Sequence, residues 1–165
     1  MASGKSSVGE MLAARLELPF IDLDSRLEQE MGMSIPEIFE NKGALTFRKM
    51  ERKLLLDLLQ DEDDGYVLAT GGGTPCYYDS MDDILAAPGV TSVYLDVSIT
   101  ELLKRLGPDR SSRPMIAHLN DDDLAEYLGK HLFERRSVYN RADHKVSVNE
   151  KPISEVVDEL ERLLA

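Results

Sequence analysis

The residues best suited to chemistry stand at the start of the chain, where Gly4, Lys5 and Ser6 precede an amphipathic segment. They match the end of the phosphate-binding pattern G-x-x-x-x-G-K-[ST], in which a glycine-rich turn leads from a strand into a helix. In such a loop the lysine contacts nucleotide phosphates and the serine hydroxyl binds Mg²⁺. A bare G-K-S also occurs as a polar helix start. The amphipathic segment after it and the acids that end the next apolar run favour a nucleotide site.

Two carboxylates end the apolar run "LPFIDLD" at 18–24. If this run is a strand, Asp22 and Asp24 lie on one face, roughly 6–7 Å apart. Two acids this close repel each other unless a cation or a substrate hydroxyl lies beside them. One acid would then hold Mg²⁺ through water, and the other would orient or deprotonate an acceptor hydroxyl. The alternative is a pair of exposed acids that cap the next helix, a role that Asp24 also suits.

A second group of residues suits the binding of a small anion. In "TFRKMER" a helix places Phe47, Arg48 and Glu51 on one side. The simple interpretation is a helical salt bridge, and the functional one is that Glu51 orients the guanidinium to hold a carboxylate bidentately. The "ATGGGTP" stretch places three glycines after a predicted strand, where backbone approaches a ligand closely.

Two later stretches carry arginines. "RSSRPM" at 110–115 would close over phosphates as a lid, or is a mobile surface loop. "ERRSVY" at 134–139 adds arginines to a late helix, where a polar helix face would be unremarkable.

These side chains need a scaffold, and the pattern of the chain predicts one in which strands alternate with helices. Such alternation gives a parallel sheet covered on both faces, and ligands bind at the carboxyl ends of its strands. Predicted strands lie within 18–24, 66–73, 89–97 and 144–148, and predicted helices cover 6–18, a segment begun by a capping box at Ser34 and Glu37, 46–59, 98–106, about 122–140 and 153–164. The acids and the three glycines fall at predicted carboxyl ends of strands.

Composition narrows the class of protein further. The chain has 165 residues, which suits one domain, and a net charge of −12, which disfavours nucleic acid as a partner. No apolar run approaches the ~20 residues of a membrane-spanning helix, so we expect no membrane partner. The single cysteine, Cys76, suits a reducing compartment and predicts a cytoplasmic protein.

Taken together, these stretches closely resemble the shikimate kinase family of small P-loop kinases. The resemblance covers nearly the whole chain, through "GKSSVG", "PFIDLDSRLE", "SIPEIFENKG", "FRKME", "LATGGG", "VYLDV", "RP" and "ERRSVY". It implies one α/β domain over 1–165, a three-layer α/β/α fold with a parallel sheet of about five strands. Within it, 1–16 holds the end of the phosphate loop and the first helix, about 24–60 binds shikimate, and about 107–121 is a lid.

The resemblance also implies an activity, the transfer of the γ-phosphoryl group of MgATP to the 3-hydroxyl of shikimate in aromatic amino-acid biosynthesis. It implies ATP and Mg²⁺ as cofactors, shikimate as the small-molecule partner, and a monomer. The implied catalytic residues are Lys5, Asp24 and Arg113. The implied shikimate-binding residues are Asp24, Phe47, Arg48, Glu51, Gly71, Gly72, Gly73 and Arg135. The implied nucleotide-binding residues are Ser3, Gly4, Lys5, Ser6, Ser7, Arg105, Arg113 and Pro152, and the implied metal-binding residues are Ser6 and Asp22.

Two departures from the family pattern affect these expectations. Ser137 stands where the family usually has proline in R-x-P-x-Y, and Arg136 beside Arg135 competes for the role of the second carboxylate-binding arginine. The first glycine of the phosphate loop, and the central strand before it, would fall upstream of Met1. Either residues precede Met1, or the chain is truncated and impaired. A P-loop kinase for another small hydroxy acid is the remaining alternative.

Overall fold

The computed structural model of the chain describes residues 2–60, 65–107 and 116–165. The helices in these ranges are α1 (Lys5–Leu16), α2 (Leu23–Met31), α3 (Ile35–Leu59), α4 (Ser80–Ala86), α5 (Ile99–Leu106), α6 (Asp121–Tyr139) and α7 (Ile153–Leu164). The strands are β1 (Phe20–Asp22), β2 (Val67–Ala69), β3 (Val93–Asp96) and β4 (His144–Ser147). Strands and helices alternate, as the sequence pattern predicts.

The four described strands form two parallel pairs. Strand β1 pairs with β2, with Phe20 opposite Val67, and β3 pairs with β4, with Val93 opposite His144. Each pair is a separate two-stranded sheet in the described part of the chain. The prediction of a parallel α/β arrangement is therefore confirmed. Of the expected sheet of about five strands, the described residues contain these two pairs.

Helix starts follow the sequence signals closely. The Ser34 side chain accepts from the Glu37 backbone N–H while the Glu37 carboxylate accepts from the Ser34 N–H, which completes the predicted capping box. The Ser98 hydroxyl caps α5 by accepting from the Glu101 N–H at 3.1 Å. The two predicted helices are the two helical segments of α3, which meet at a kink where Gly43 is not helical (φ 79°, ψ 161°). A residue with a side chain rarely adopts that conformation, so the break depends on glycine.

The prediction that Asp22 and Asp24 both lie on a strand was wrong for Asp24. Strand β1 ends at Asp22, and Asp24 lies in the first turn of α2. The capping role considered for Asp24 belongs to Asp22, whose carboxylate accepts from the Ser25 N–H at 3.1 Å. The chain turns into a helix here because this cap satisfies a backbone donor at the point where the strand ends.

The apolar core is divided into two clusters. One contains α1, α5, α6 and α7 with the β3–β4 sheet, and its centre includes Leu106, Leu128 and Val146. The other joins α2 to α3 around Leu23, Ile38 and Leu55. The second cluster packs α2, which carries Asp24, against α3, which carries Arg48. It therefore fixes the position of these two helices relative to each other.

Candidate active site

The end of the phosphate loop forms the start of α1. Gly4 is the residue that caps the helix, with φ 89°, and its carbonyl accepts from the Val8 N–H at 2.9 Å. The first turn carries no acidic residue, so the positive end of the helix dipole and its free N–H groups are available to an anion. Lys5 is half-buried here, while Ser6 and Ser7 are exposed.

Ser6 and Asp22 meet across the loop. The Ser6 hydroxyl donates to the Asp22 carboxylate at 2.9 Å, although sixteen residues separate them. A hydroxyl and a carboxylate oxygen are hard donors of the kind that Mg²⁺ prefers, so this pair fits a magnesium ion that keeps waters and phosphate oxygens as its other ligands. The described residues include no group of three or more His, Cys, Asp or Glu arranged as a metal site.

Lys5, Asp22 and Asp24 form an electrostatic cluster. Burial lowers the pKa of the Lys5 ammonium from its ordinary value, and the negative charges of Asp24 and Asp22 oppose this shift. Burial raises the pKa of Asp24, and the nearby charges of Glu51 and Asp22 raise it further. A carboxyl whose pKa is raised toward neutrality is a better general base than an ordinary aspartate.

Arg48 is held by a buried carboxylate. The Arg48 guanidinium donates to Glu51 Oε2 at 2.6 Å, and the Thr74 hydroxyl donates to Glu51 Oε1 at 2.7 Å. The Glu51 side chain is only 3% exposed, so these two donors, rather than water, stabilise its negative charge. Thr74, in a short 3₁₀ turn, is also buried. Both Glu51 oxygens are thus occupied by donors that fix the orientation of Arg48.

Aromatic rings and glycines complete the surroundings of Arg48. Its guanidinium carbon lies 4.1 Å from the Tyr77 ring centroid and 5.0 Å from that of Phe47. A Cβ at Gly73 would lie 2.6 Å from an Arg48 nitrogen, and one at Gly71 would lie 3.0 Å from a Glu51 oxygen. The glycines are needed here because side chains at these positions would displace the guanidinium and its carboxylate.

Arg135 approaches the same region from α6. Burial raises the pKa of Cys76, and the positive charges of Arg135 and Arg48 oppose this shift. Arg135 also contacts the His131 ring. Arg136 faces elsewhere, toward the Asp96 carboxylate at 3.9 Å.

Tyr139 contacts the remaining glycine of the three, Gly72. Its hydroxyl donates to the Gly72 carbonyl and ties the end of α6 to the three-glycine segment. Gly71 and Gly73 thus lie against Glu51 and Arg48, while Gly72 is joined to α6, the helix that carries Arg135.

Arg105 joins the segment before α1 to the segment after β4. Its guanidinium donates to the carbonyls of Ala2 and Ser3 at 3.4 and 3.3 Å, and to that of Val148 at 2.8 Å. Pro152 immediately precedes α7 and is exposed. Arg113 and most of the expected lid, residues 108–115, lie outside the described residues.

Sequence reasoning missed three residues of this pocket, Thr74, Tyr77 and Tyr139, as positioning groups. Thr74 directly follows the glycine run, where a hydroxyl is easily interpreted as part of a turn. Tyr77 and Tyr139 contact residues that are distant in sequence, and no local periodicity encodes such contacts. Only a model of the tertiary structure reveals them.

Known proteins of one family match this chain over its whole length. The family model described as shikimate kinase matches residues 1–165. A shikimate kinase from Flavobacterium johnsoniae is 40% identical over 165 residues, covering 100% of this chain and 95% of that protein. One from Aquifex aeolicus is 39% identical over 161 residues, covering 97% of this chain and 89% of that protein.

Solved structures show the same likeness. The crystal structure of a shikimate kinase from Bacteroides thetaiotaomicron matches with a TM-score of 0.90 at 32% identity, covering 99% of this chain and 93% of that chain. A shikimate kinase from Acinetobacter baumannii in complex with shikimate matches with a TM-score of 0.84 at 27% identity, covering 99% of this chain and 88% of that chain.

Proposed function

Because the chain belongs to the shikimate kinase family, we propose how its own residues carry out phosphoryl transfer from MgATP to shikimate. The activity is that of the family, the phosphorylation of shikimate by ATP in aromatic biosynthesis. Phosphoryl transfer requires positioning and charge stabilisation rather than covalent catalysis. Each role is assigned to a side chain that can supply positioning or charge stabilisation.

The phosphate side of the reaction falls to the start of α1. Backbone N–H groups from Ser3 to Ser7 would bind phosphate oxygens, and Lys5 would neutralise charge on the group in transfer. Ser6 and Asp22 would hold Mg²⁺, Ser6 directly and Asp22 through water. The ion, when bound, supplies positive charge to the phosphates. By the family resemblance, Arg105 and Pro152 would flank the adenine; in the structure both lie beside the turn that joins β4 to α7.

Asp24 would accept the proton from the attacking hydroxyl. Its raised pKa follows from burial and from the charge of Glu51, and its position at the start of α2 brings it beside Gly71. Lys5 lies close enough to stabilise the ionised form of Asp24. A base in this position links the acceptor pocket to the phosphate loop.

The acceptor carboxylate would be bound by Arg48 and Arg135. Glu51 orients the fork of Arg48, Phe47 and Tyr77 pack on its faces, and the three glycines would present backbone to the ring of shikimate. The single observation that carries this proposal is the buried Thr74–Glu51–Arg48 chain of hydrogen bonds. A buried carboxylate that orients a partly buried arginine prepares that arginine for an anion.

The test measures ADP release from MgATP with and without shikimate, for the parent chain and for single alanine variants. Arg48→Ala and Arg135→Ala should remove most of the shikimate-dependent turnover and leave ATP binding nearly unchanged. Arg136→Ala is the matched control, because it removes an adjacent arginine of the same helix that faces Asp96 instead. We expect it to keep the activity of the parent.

Three outcomes of this test would contradict the assignments. Equal loss of ATP binding and turnover in Arg48→Ala would show that Arg48 supports the fold rather than the acceptor. Loss in Arg136→Ala with retention in Arg135→Ala would exchange the two arginines. Turnover that is indifferent to shikimate in the parent would direct the search to other small hydroxy acids.

The remaining proposals concern context. We infer a single domain over 1–165 that acts as a monomer, with 1–16 as the loop end and first helix, about 24–60 as the shikimate-binding region and about 107–121 as a lid. The charge of −12 supports the absence of a nucleic-acid partner, and the free thiol of Cys76 supports a cytoplasmic location. Among the described helices, none is long and apolar enough to cross a membrane.

A further inference from the structure

Four residues at intervals of four form a row along α6, namely Tyr127, His131, Arg135 and Tyr139. Residues four apart on a helix are neighbours on its surface, so each member of the row can contact the next. All four side chains are half-buried, whereas Arg136 beside them is exposed. Arg135 therefore has one neighbour of this row on each side along the helix.

Both of these neighbours hydrogen-bond with Arg135. Its guanidinium contacts Nε2 of the His131 ring, and a hydrogen bond joins it to the Tyr139 side chain. A guanidinium has donors only, so Nε2 must accept, and the ring must be neutral with its proton on Nδ1. Burial and the charge of Arg135 lower the pKa of His131 to about 4, so the ring is neutral at neutral pH, as this hydrogen bond requires.

Arg135 differs from other arginines of the chain in the charge of its partners. Arg48 donates to the Glu51 carboxylate at 2.6 Å, and the Arg136 guanidinium lies 3.9 Å from the Asp96 carboxylate. In the described part of the chain, no carboxylate forms an ion pair with Arg135. Neutral acceptors fix the direction of a guanidinium without cancelling its charge, so the full positive charge of Arg135 stays available to an anion.

The row leads to the glycine segment that adjoins Arg48. The Tyr139 hydroxyl donates to the Gly72 carbonyl, and Gly73 lies against the guanidinium of Arg48. Arg135, which hydrogen-bonds with Tyr139, is thus tied to the segment that Arg48 also contacts. The orientation of its guanidinium therefore matters to an anion bound at this segment.

We propose that His131 is a positioning residue, whose neutral ring accepts a hydrogen bond from Arg135 and holds the guanidinium toward the carboxylate of shikimate without neutralising it. The proposal rests on the role of Arg135 proposed above, because His131 acts only through Arg135. An acidic residue at this position would orient the guanidinium but compete with the substrate carboxylate. An apolar residue would leave the guanidinium free to adopt other rotamers, which binding would then have to restrict.

Steady-state kinetics of His131→Gln, His131→Glu and His131→Leu test the proposal. Glutamine keeps a neutral acceptor, so we expect its KM for shikimate to stay within about twofold of the parent value. Glutamate has the shape of glutamine but adds a competing negative charge, and leucine loses the acceptor, so each should raise this KM about tenfold. In all three variants kcat and the KM for ATP should change by less than about twofold.

Urea unfolding of the same variants separates positioning from packing. A glutamate four residues before an arginine stabilises a helix, so His131→Glu should be at least as stable as the parent although its KM for shikimate is raised. The His131 ring also stacks on the Tyr127 ring, with 5.8 Å between their centroids. If this packing were its role, all three variants would lose stability and raise the KM alike, His131→Gln included, and that result would overturn the proposal. The glutamine and glutamate variants decide this even if His131→Leu does not fold.

A double-mutant cycle with Arg135→Ala distinguishes failure of this proposal from failure of the proposed function. We expect His131→Glu to raise the KM for shikimate in the parent and to leave it unchanged in the Arg135→Ala background. An equal effect in both backgrounds, or none in the parent, would overturn the role of His131 and leave that of Arg135 standing. If Arg135→Ala alone leaves the KM unchanged, the proposed carboxylate site is wrong and the role of His131 falls with it.

Discussion

Replacing Thr74 by valine tests the hydrogen-bond chain that orients Arg48. Valine keeps the volume and the methyl group of threonine but loses the hydroxyl, which donates to Glu51 Oε1 at 2.7 Å. Thr74 is 1% exposed and Glu51 is 2% exposed, so water does not replace the lost donor readily. Hydrogen bonds to charged groups contribute about 1.5–3 kcal/mol, and we expect the free energy of unfolding of Thr74→Val to fall by that amount.

The same change should affect one substrate and not the other. Glu51 with one oxygen unsatisfied holds Arg48 less firmly, so the proposed carboxylate site loses part of its preorganisation. A loss of about 1.4 kcal/mol at that site raises the KM for shikimate about tenfold. The KM for ATP should stay near that of the parent, because the proposed phosphate contacts come from Lys5 and Ser6 on α1 and not from Thr74 or Glu51.

Urea unfolding and steady-state kinetics measure these effects, and Thr74→Ser is the matched control. Serine keeps the hydroxyl and loses only a methyl group, which costs about 0.8 kcal/mol. We expect Thr74→Ser to keep the parent KM for shikimate. If Thr74→Val is as stable as the parent, or if both variants raise the KM equally, then the hydroxyl does not orient Arg48.

Two further predictions concern pH. Because burial and the charge of Glu51 raise the pKa of Asp24, the acid limb of the kcat/KM profile should lie above the ordinary carboxyl range, and Glu51→Gln should shift that limb to lower pH. A pH–rate profile of both proteins measures this shift. If the limb does not shift, Asp24 is not the base. Burial and the charge of Arg135 lower the pKa of His131 to about 4, so the folded state binds fewer protons than the unfolded state between pH 6.5 and 4. Stability should therefore fall as pH drops through this window, and urea unfolding of the parent against His131→Asn should show the dependence weakened in the variant.

Local signals in the sequence predicted the parts of the site that a short stretch encodes. The capping box at Ser34, the pairing of Arg48 with Glu51 and the helix after Gly4 depend on residues three or four apart, and the structure confirms all three. The family relationship, which rested on the order of several such stretches, is confirmed as well.

Features that depend on distant contacts were not predictable in this way. Thr74 meets Glu51 twenty-three residues earlier, and Tyr139 meets Gly72 sixty-seven residues earlier. Asp24 was assigned to a strand because alternation of apolar and acidic residues resembles a strand. The Asp22 cap ends β1 two residues earlier, and tertiary context decides between such alternatives.

The break at Gly43 has a consequence for how this protein tolerates change in length. In an uninterrupted helix, one inserted residue rotates every later side chain by about 100° around the axis. Such a rotation would carry Arg48 and Glu51 away from the pocket. Because Gly43 interrupts the helical backbone, the turns before it and the turns after it need not share one rotational phase. The segment from Ile35 to Lys42 can therefore lengthen or shorten over evolution while the anion-binding turn keeps its alignment.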